Sequence, residues 1–158
     1  MYNLPYFKEN DLTVIKQFMK AHPFVFLSGV NTANEPVASQ VPVLIEERGD
    51  ELFLLGHMMK NTDHHQAFGK NANALVVFTG AHTYVSASWY TDKQTGSTWN
   101  YMSVHAKGLL SFVDNARLLN ILIRTTALFE NNSASPSLVE KMPQEYLDKM
   151  MKAIVGSK

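Results

Sequence analysis

The sequence has no cysteine, which excludes disulfides, zinc–thiolate sites and cysteine nucleophiles and is typical of a cytoplasmic protein. Its 14 basic side chains balance 14 acidic ones, so no net charge attracts it to nucleic acid. A helix-turn-helix with a basic recognition helix is also lacking, which argues against direct DNA binding. No apolar run approaches the roughly 18 residues that span a bilayer, and the N-terminus lacks a signal-peptide pattern. We therefore expect a cytoplasmic protein without a membrane segment.

The motifs of common catalytic and metal sites are missing too. There is no GxSxG, GxGxxG or P-loop, so a serine hydrolase or a nucleotide site of those types is not predicted. There is no HExxH, and the adjacent His64 and His65 would point roughly 100° apart on a helix. We predict no metal site.

The length of 158 residues fits one domain, residues 1–158, and six runs of β-forming residues dominate it. Pro42, inside the second run, predicts an edge, a bulge or a bend, and Gly108, inside the sixth, predicts a bulge. Short turns between the first runs favour an antiparallel meander. The runs are Phe24–Val30, Val37–Glu47, Glu51–Met58, Ala74–Thr79, Thr83–Tyr90 and Asn100–Val113.

Helices flank these runs. Asp11, Thr62 and Asp114 each precede a helical pattern and are predicted N-caps. A last helix is predicted from about residue 143 to 155, with Gly156 as its stop. Together the patterns predict a mainly β fold: a six-stranded antiparallel barrel with flanking helices.

Residues 78–107 hold both tryptophans and three of the six tyrosines, with small polar residues between them. Aromatic faces beside hydroxyl and amide groups suit a flat, heteroatom-rich ligand. An ordinary barrel core with a dimer patch explains the composition equally well. His82 and His105 flank the stretch and are candidate acid–base groups, although no nucleophile motif accompanies them.

The segment from Gly56 to Asn61 joins a strand to the helix that Thr62 caps. Free backbone N–H groups at such a junction, with Lys60 and Asn61, could hold a phosphate. From these residues alone, a surface turn with a solvated lysine is the simpler interpretation.

Three ordered blocks carry a family resemblance: GHMMKNTDHHQAF, VVFTGAHTYVSASWY and TWNYMSVHAKG. They resemble the PaiB-like FMN-binding family of negative transcriptional regulators, within the FMN-binding split-barrel superfamily. That superfamily also holds pyridoxamine-phosphate oxidases, flavin reductases and haem-handling proteins. The opening MYNLPYFKEND is similar to the start of the family as well. The resemblance implies a homodimer of six-stranded split barrels with FMN in the interface.

The resemblance also implies site residues. Lys60 and Asn61 match the segment that holds the FMN phosphate, and residues 39–41 match the strand along the isoalloxazine and ribityl chain. Trp99 and Asn100 match a segment that closes the site from the partner subunit. Related oxidases use arginine for the phosphate, whereas Lys60 would serve largely alone here. The implied cofactor-binding residues are Ser39, Gln40, Val41, His57, Met58, Lys60, Asn61, Trp99 and Asn100.

The function implied by the resemblance is a flavin-dependent redox protein, such as a flavin reductase, or a flavin-responsive negative transcriptional regulator. Whether the protein is an enzyme stays open. One alternative is a dimeric regulatory or interaction protein that binds no flavin. Another is a split barrel that binds haem, with His82 or His105 as the ligand.

Overall fold

The computed structural model describes residues 4–92 and 94–158, and its β structure is two antiparallel sheets of four strands each. The strands are β1 (Phe24–Val30), β2 (Pro36–Pro42), β3 (Leu44–Arg48), β4 (Glu51–Met59), β5 (Asn73–Val85), β6 (Thr98–Leu109), β7 (Phe112–Val113) and β8 (Ile154–Ser157). The helices are α1 (Leu12–Ala21), α2 (Asp63–Phe68), α3 (Asn115–Phe129) and α4 (Gln144–Ala153). The first sheet has the order β2-β1-β5-β6 and the second β3-β4-β8-β7. The mainly β class is confirmed, whereas the count of six strands is wrong.

The predicted second run forms two strands instead of one, because the chain bends at Pro42. β2 ends at Pro42 in the first sheet, and β3 begins at Leu44 in the second. Between them, the N–H of Val43 donates to the carbonyl oxygen of Pro23 at 2.8 Å, outside either ladder. The chain therefore bends from one sheet into the other here, and a bend was one of the three alternatives predicted at Pro42. The sixth run also forms two strands, β6 in the first sheet and β7 in the second.

The fourth run and the start of the fifth form one long strand, β5, with an irregularity between Thr79 and His82. The end of the fifth run is not a strand, because Ala87–Trp89 form a 3₁₀ helix. Gly80 lies inside the irregularity of β5, and a Cβ at Gly80 would be 2.7 Å from the ring of Phe18 on α1. The close approach of α1 therefore favours glycine at the bulge. The bulge predicted at Gly108 is wrong, because Gly108 pairs in register with Ala74.

All three predicted caps are confirmed. The carboxylate of Asp11 accepts the N–H of Thr13 at 2.7 Å, and that of Asp114 accepts the N–H of Arg117 at 2.8 Å. The Thr62 hydroxyl accepts the N–H of His65 at a longer 3.4 Å. At the N-terminus, residues 1–3 of the family-like opening lie outside the described residues, and Pro5–Phe7 form a single 3₁₀ turn.

The last helix is shorter than predicted. α4 ends at Ala153, and Ile154–Ser157 form β8, which pairs with β4 on one side and β7 on the other. The β-branched Ile154 is 8% exposed and packs with Leu118 of α3. Residues 154–157 therefore form a strand because they are buried between two strands and a helix. Gly156 lies inside this strand and, contrary to the prediction, does not end the helix.

The main core lies between the two sheets and includes Val25 and Phe78, both fully buried. α3 and α4 cover β8 through a second cluster around Leu118 and Leu122. Within the described residues, no helix combines the length and apolar character that a membrane crossing requires.

Candidate functional site

Beyond the bulge, β5 and β6 continue as a two-stranded extension of the first sheet. β1 pairs with β5 only over Leu75–Val77, whereas β5 and β6 stay paired as far as Val85 and Thr98. We call the paired segments 82–85 and 98–101 the aromatic ribbon. The ribbon therefore projects past the end of β1, where its residues are largely exposed.

One face of the aromatic ribbon is built from four rings. His82 pairs with Tyr101, and Tyr84 pairs with Trp99. Directly paired residues share a face, and so do residues two apart along a strand. The Tyr84 and Trp99 ring centroids are 5.7 Å apart, and those of His82 and Trp99 are 5.9 Å apart. Trp99 is nonetheless 58% exposed, so this face offers stacking surface.

The predicted pair Trp99 and Asn100 is divided between the two faces. Asn100 pairs with Thr83 and lies on the face opposite the rings. Tyr84 and Tyr101, which share the face of Trp99, were missed as site residues. Their period-two spacing was the available signal, since 82, 84, 99 and 101 alternate with polar residues.

The serines at the far end of the ribbon have structural partners. The Ser86 hydroxyl accepts the N–H of Ser88 at 3.2 Å, and its oxygen is 2.8 Å from the Ser88 hydroxyl oxygen. The Ser97 hydroxyl accepts the N–H of Ala87 at 3.0 Å. These hydrogen bonds hold the chain in a turn after the ribbon.

The outer face of the first sheet carries an exposed row across all four strands, in which Val77 is half-buried. Phe26 pairs with Gln40 on one side and Val77 on the other, and Val77 pairs with His105. Phe26 is 45% exposed, and Phe24 on the same face is 56% exposed. An apolar centre bordered by Gln40 and His105 is therefore open to a partner or a ligand.

The predicted residues of β2 and β4 divide between core and surface. Val41 and Met58 are 8% and 4% exposed and belong to one core cluster. Ser39 pairs with the buried Leu27 and is half-buried, on the face opposite Gln40. Side chains of Val41 and Met58 are thus committed to packing, while Gln40 is exposed.

The junction before α2 has most of its backbone donors paired. The N–H of Lys60 donates to the Ala153 oxygen at 2.8 Å, and that of Asn61 donates to Nδ1 of His65 at 3.2 Å. The N–H of His64 is held by Asp63 at 2.8 Å. The prediction of a cradle of free backbone N–H groups is therefore wrong for these positions.

The side chains of the junction are better candidates. Lys60 is half-buried and forms no ion pair with a described residue. Asn61 has φ of 62°, a left-handed conformation that asparagine tolerates, so the residue also has a structural role in the turn. Two groups, an ammonium and an amide, remain to bind an anion here.

His57 carries the one buried side-chain polar atom, among the described residues, that lacks a hydrogen-bond partner: its Nδ1. Burial lowers the pKa of the His57 imidazole, which favours its neutral form. An orphaned buried nitrogen is unusual, and a ligand or a second chain is one source of its partner. His57 lies on β4, three residues before Lys60 in the sequence. The same described part of the chain contains no cluster of three His, Asp or Glu side chains suited to a metal.

One chain does not bring all the predicted residues together. β2 and β6 are opposite edges of the first sheet, separated by two strands. At a strand spacing of about 4.8 Å, that separation is roughly 14 Å. Ser39 and Gln40 thus lie at one edge, and Trp99 lies beyond the other.

A comparison with known families decides the assignment. The model of the family described as "Putative FMN-binding domain" matches residues 1–158. The chain belongs to this PaiB-like FMN-binding family. It is 28% identical over 158 residues to the protease synthase and sporulation protein PAI 2 of Bacillus subtilis, covering 100% of this chain and 75% of that protein. The family predicted from the three sequence blocks is confirmed.

Solved structures share the fold at low identity. The FAD and heme binding protein of Mycobacterium smegmatis has a TM-score of 0.62 and 16% identity, over 94% of this chain and 65% of that one. HutZ, the heme storage protein of Vibrio cholerae, has a TM-score of 0.57 and 11% identity, over 95% and 89% of the two chains. The conserved hypothetical protein Rv2991 of Mycobacterium tuberculosis has a TM-score of 0.66 and 12% identity, over 99% and 83%. These likenesses bear on the fold alone.

Proposed function

We propose that the protein is a cytoplasmic FMN-binding homodimer whose cofactor lies between the two chains. The observation that carries the proposal is that Ser39 and Gln40, on β2, and Trp99, on β6, lie at opposite edges of the first sheet. Between those edges lies the exposed row centred on Phe26. A two-fold axis along the strands would bury this row and bring β6 of each copy against β2 of the other. Each FMN would then contact both copies.

The available residues fit FMN when both copies contribute. The Lys60 ammonium and the Asn61 amide of one copy would hold the phosphate. Gln40 and the neighbouring backbone of β2 would line the ring and the ribityl chain, and Trp99 of the other copy would cover the ring. The orphaned Nδ1 of His57 is near this region in sequence and would gain a polar partner. Bound FMN supplies hydride or electron transfer, while the protein binds and orients it.

The role built on this site is a flavin-dependent redox reaction or a flavin-responsive repression. The relative PAI 2 of Bacillus subtilis is named for protease synthesis and sporulation, which favours a regulatory role. The formal net charge of zero favours repression through a protein partner over direct DNA contact. Oxidation of NADH or NADPH by the FMN-loaded dimer would identify a flavin reductase, and its absence would favour the regulator.

An FMN titration tests the phosphate contact. Wild type and Lys60→Ala are titrated with FMN, with quenching of flavin fluorescence as the readout. Loss of one charge-assisted contact should weaken binding about tenfold or more. Lys70→Ala, which removes an exposed lysine just after α2, is the matched control and should bind as wild type does. Equal affinities of the two variants would contradict the proposed role of Lys60.

The oligomeric state tests the interface. Phe26→Asp places a charge at the centre of the exposed row and should give a monomer, which light scattering after size exclusion measures. The monomer should also lose FMN, which the fluorescence titration measures. Leu128→Asp changes a residue of α3 that is 51% exposed and should leave the dimer intact. A Phe26→Asp dimer with normal FMN affinity would refute this interface.

Haem is the second candidate ligand, because His105 lies exposed on the outer face of the first sheet. Two structural relatives, HutZ and the Mycobacterium smegmatis protein, are described as heme proteins. Haem binding through His105 predicts a Soret band that His105→Ala abolishes and His82→Ala retains. A protein that binds FMN and shows no such band would exclude this candidate.

A further inference from the structure

All three arginines of the chain line a single pocket. The sequence contains only Arg48, Arg117 and Arg124. The pocket has a volume of about 420 Å³, lies between α3 and the second sheet, and is also lined by Lys158. Neither Lys60 nor any residue of the aromatic ribbon contributes to it. It is therefore separate from the proposed flavin site.

The lining side chains carry an excess of positive charge. Against the four cations stand two carboxylates, Glu46 and Asp114, which leaves two positive charges in a chain of formal net charge zero. The Asp114 carboxylate caps α3 by accepting the N–H of Arg117 at 2.8 Å. The side chains of Arg117 and Lys158 form no ion pair with a described residue.

Glu46 holds the other two arginines in place. One carboxylate oxygen accepts from Nη1 of Arg124 and the other from Nε of Arg48, each at 2.5 Å. The hydrogen bonds from Arg124 and then Arg48 lower the pKa of the Glu46 carboxyl, so it stays ionised. Each guanidinium has five N–H donors and uses only one on Glu46. The remaining donors are available to a ligand.

Phe53 orders two of the cations further. The Arg48 guanidinium carbon is 4.8 Å from the centre of the Phe53 ring, and the Lys158 ammonium is 5.9 Å from it. Cations held over an aromatic face lose less side-chain freedom when they bind an anion. The site is thus partly preorganised.

The lining of the pocket also has an apolar part. Leu55 and Ile121 are 6% and 2% exposed and line it together with Val113. An apolar surface weakens the local screening of charge and accepts an apolar ligand body. We propose that this pocket binds a small organic dianion, a phosphate monoester with a compact apolar group. The arginines and Lys158 would hold the phosphate, and Leu55, Val113 and Ile121 would contact the apolar group.

A structural role for the cations is the alternative. Glu46 links β3 to α3 through Arg124, and that link alone would explain Arg48 and Arg124. It would not explain why Arg117 and Lys158 line the same pocket. Arg117→Gln is therefore the informative variant, because it keeps the Glu46 pairs and the backbone cap intact.

The experiment is calorimetric titration of the purified protein, with no FMN added, with phenyl phosphate at low salt. Wild type should bind it saturably and more tightly than inorganic phosphate. Arg117→Gln should bind about tenfold more weakly, the effect of losing one charge-assisted contact. Lys149→Gln makes the same charge change on exposed α4 and should bind normally, as should Lys60→Ala.

Each contrary result overturns part of the proposal. No saturable binding to wild type, or equal losses in Arg117→Gln and Lys149→Gln, would refute a site in this pocket. Loss of binding in Lys60→Ala would assign the phosphate to the flavin site instead. Equal affinity for inorganic and phenyl phosphate would refute the apolar contact and with it the ligand class.

Discussion

Gly156 gives a sharp test of the packing of β8. It pairs with His57 of β4 and Val113 of β7, under α3. A Cβ built on Gly156 would be 2.7 Å from Cγ2 of Val113 and 3.3 Å from both Cα and Cβ of Leu118. Real Cβ contacts are essentially never under 3.0 Å, so Gly156→Ala must displace Val113 or move β8 against α3.

The magnitude follows from overpacking of a rigid site. Inserting a methyl into a well-packed core costs about 1–3 kcal/mol, and about 2 kcal/mol is expected because one neighbour is helix backbone. For a protein of this length, that change lowers Tm by roughly 4–8 °C. Urea unfolding followed by circular dichroism measures the free energy, and a thermal scan measures Tm.

Gly108→Ala is the matched control, since a Cβ at Gly108 of β6 has nothing within 4 Å. It should change the free energy of unfolding by less than about 0.5 kcal/mol. Val113→Ala in the Gly156→Ala background removes the closest contact and should recover part of the loss, a positive coupling in the double-mutant cycle. Equal stability of the two glycine variants, or no coupling to Val113, would refute the packing described for β8.

Three further stability predictions use the same unfolding assay. Leu118→Ala, at a residue 1% exposed between α3 and β8, should cost about 3 kcal/mol, and a loss below about 1 kcal/mol would contradict its core position. Asp114→Ala removes the cap of α3 and should cost about 1 kcal/mol. An equal loss in Asp148→Ala, which breaks only an exposed side-chain pair, would show that the cap is unimportant. His57 has a lowered pKa in the folded protein, so the unfolded chain is protonated first as the pH falls below about 6.5. The neutral His57 side chain therefore contributes fully to the stability of the fold above that pH, and its contribution declines as the pH falls below it. The stability of His57→Gln should decline less over the same range. Identical pH profiles of the variant and wild type would contradict this.

The locally encoded features of the fold were predictable from sequence. The caps Asp11, Thr62 and Asp114 depend on a side chain bonding to backbone two or three residues away, and each was found. An interruption of the strand at Pro42 was predicted because proline lacks an N–H, although the sequence did not choose between an edge, a bulge and a bend. β8 was missed, because four residues directly after a helix become a strand only through pairing with β4 and β7, which are distant in the sequence.

In the candidate site, too, the features that depend on distant parts of the chain were not predicted. The ring-bearing face of the aromatic ribbon depends on the register beyond Gly80, and that register changes where α1 packs against β5. The N–H of Lys60, which was expected to be free, is paired because the carbonyl oxygen of Ala153, at the end of α4, lies next to it. The arginine pocket brings Arg48 of β3 to the face of α3 that carries Arg117 and Arg124, and only the fold makes that contact. In each case a long-range contact decides the chemistry.

The most direct test of the shared flavin site is a mixed dimer of Lys60→Ala and Trp99→Ala chains, purified through two different affinity tags. If each site takes Lys60 from one copy and Trp99 from the other, one site in the mixed dimer lacks both residues and the other is intact. The account predicts one FMN per mixed dimer at wild-type affinity, while neither parent homodimer binds FMN at that affinity. A mixed dimer that binds FMN no better than its parents would contradict a site shared between the chains.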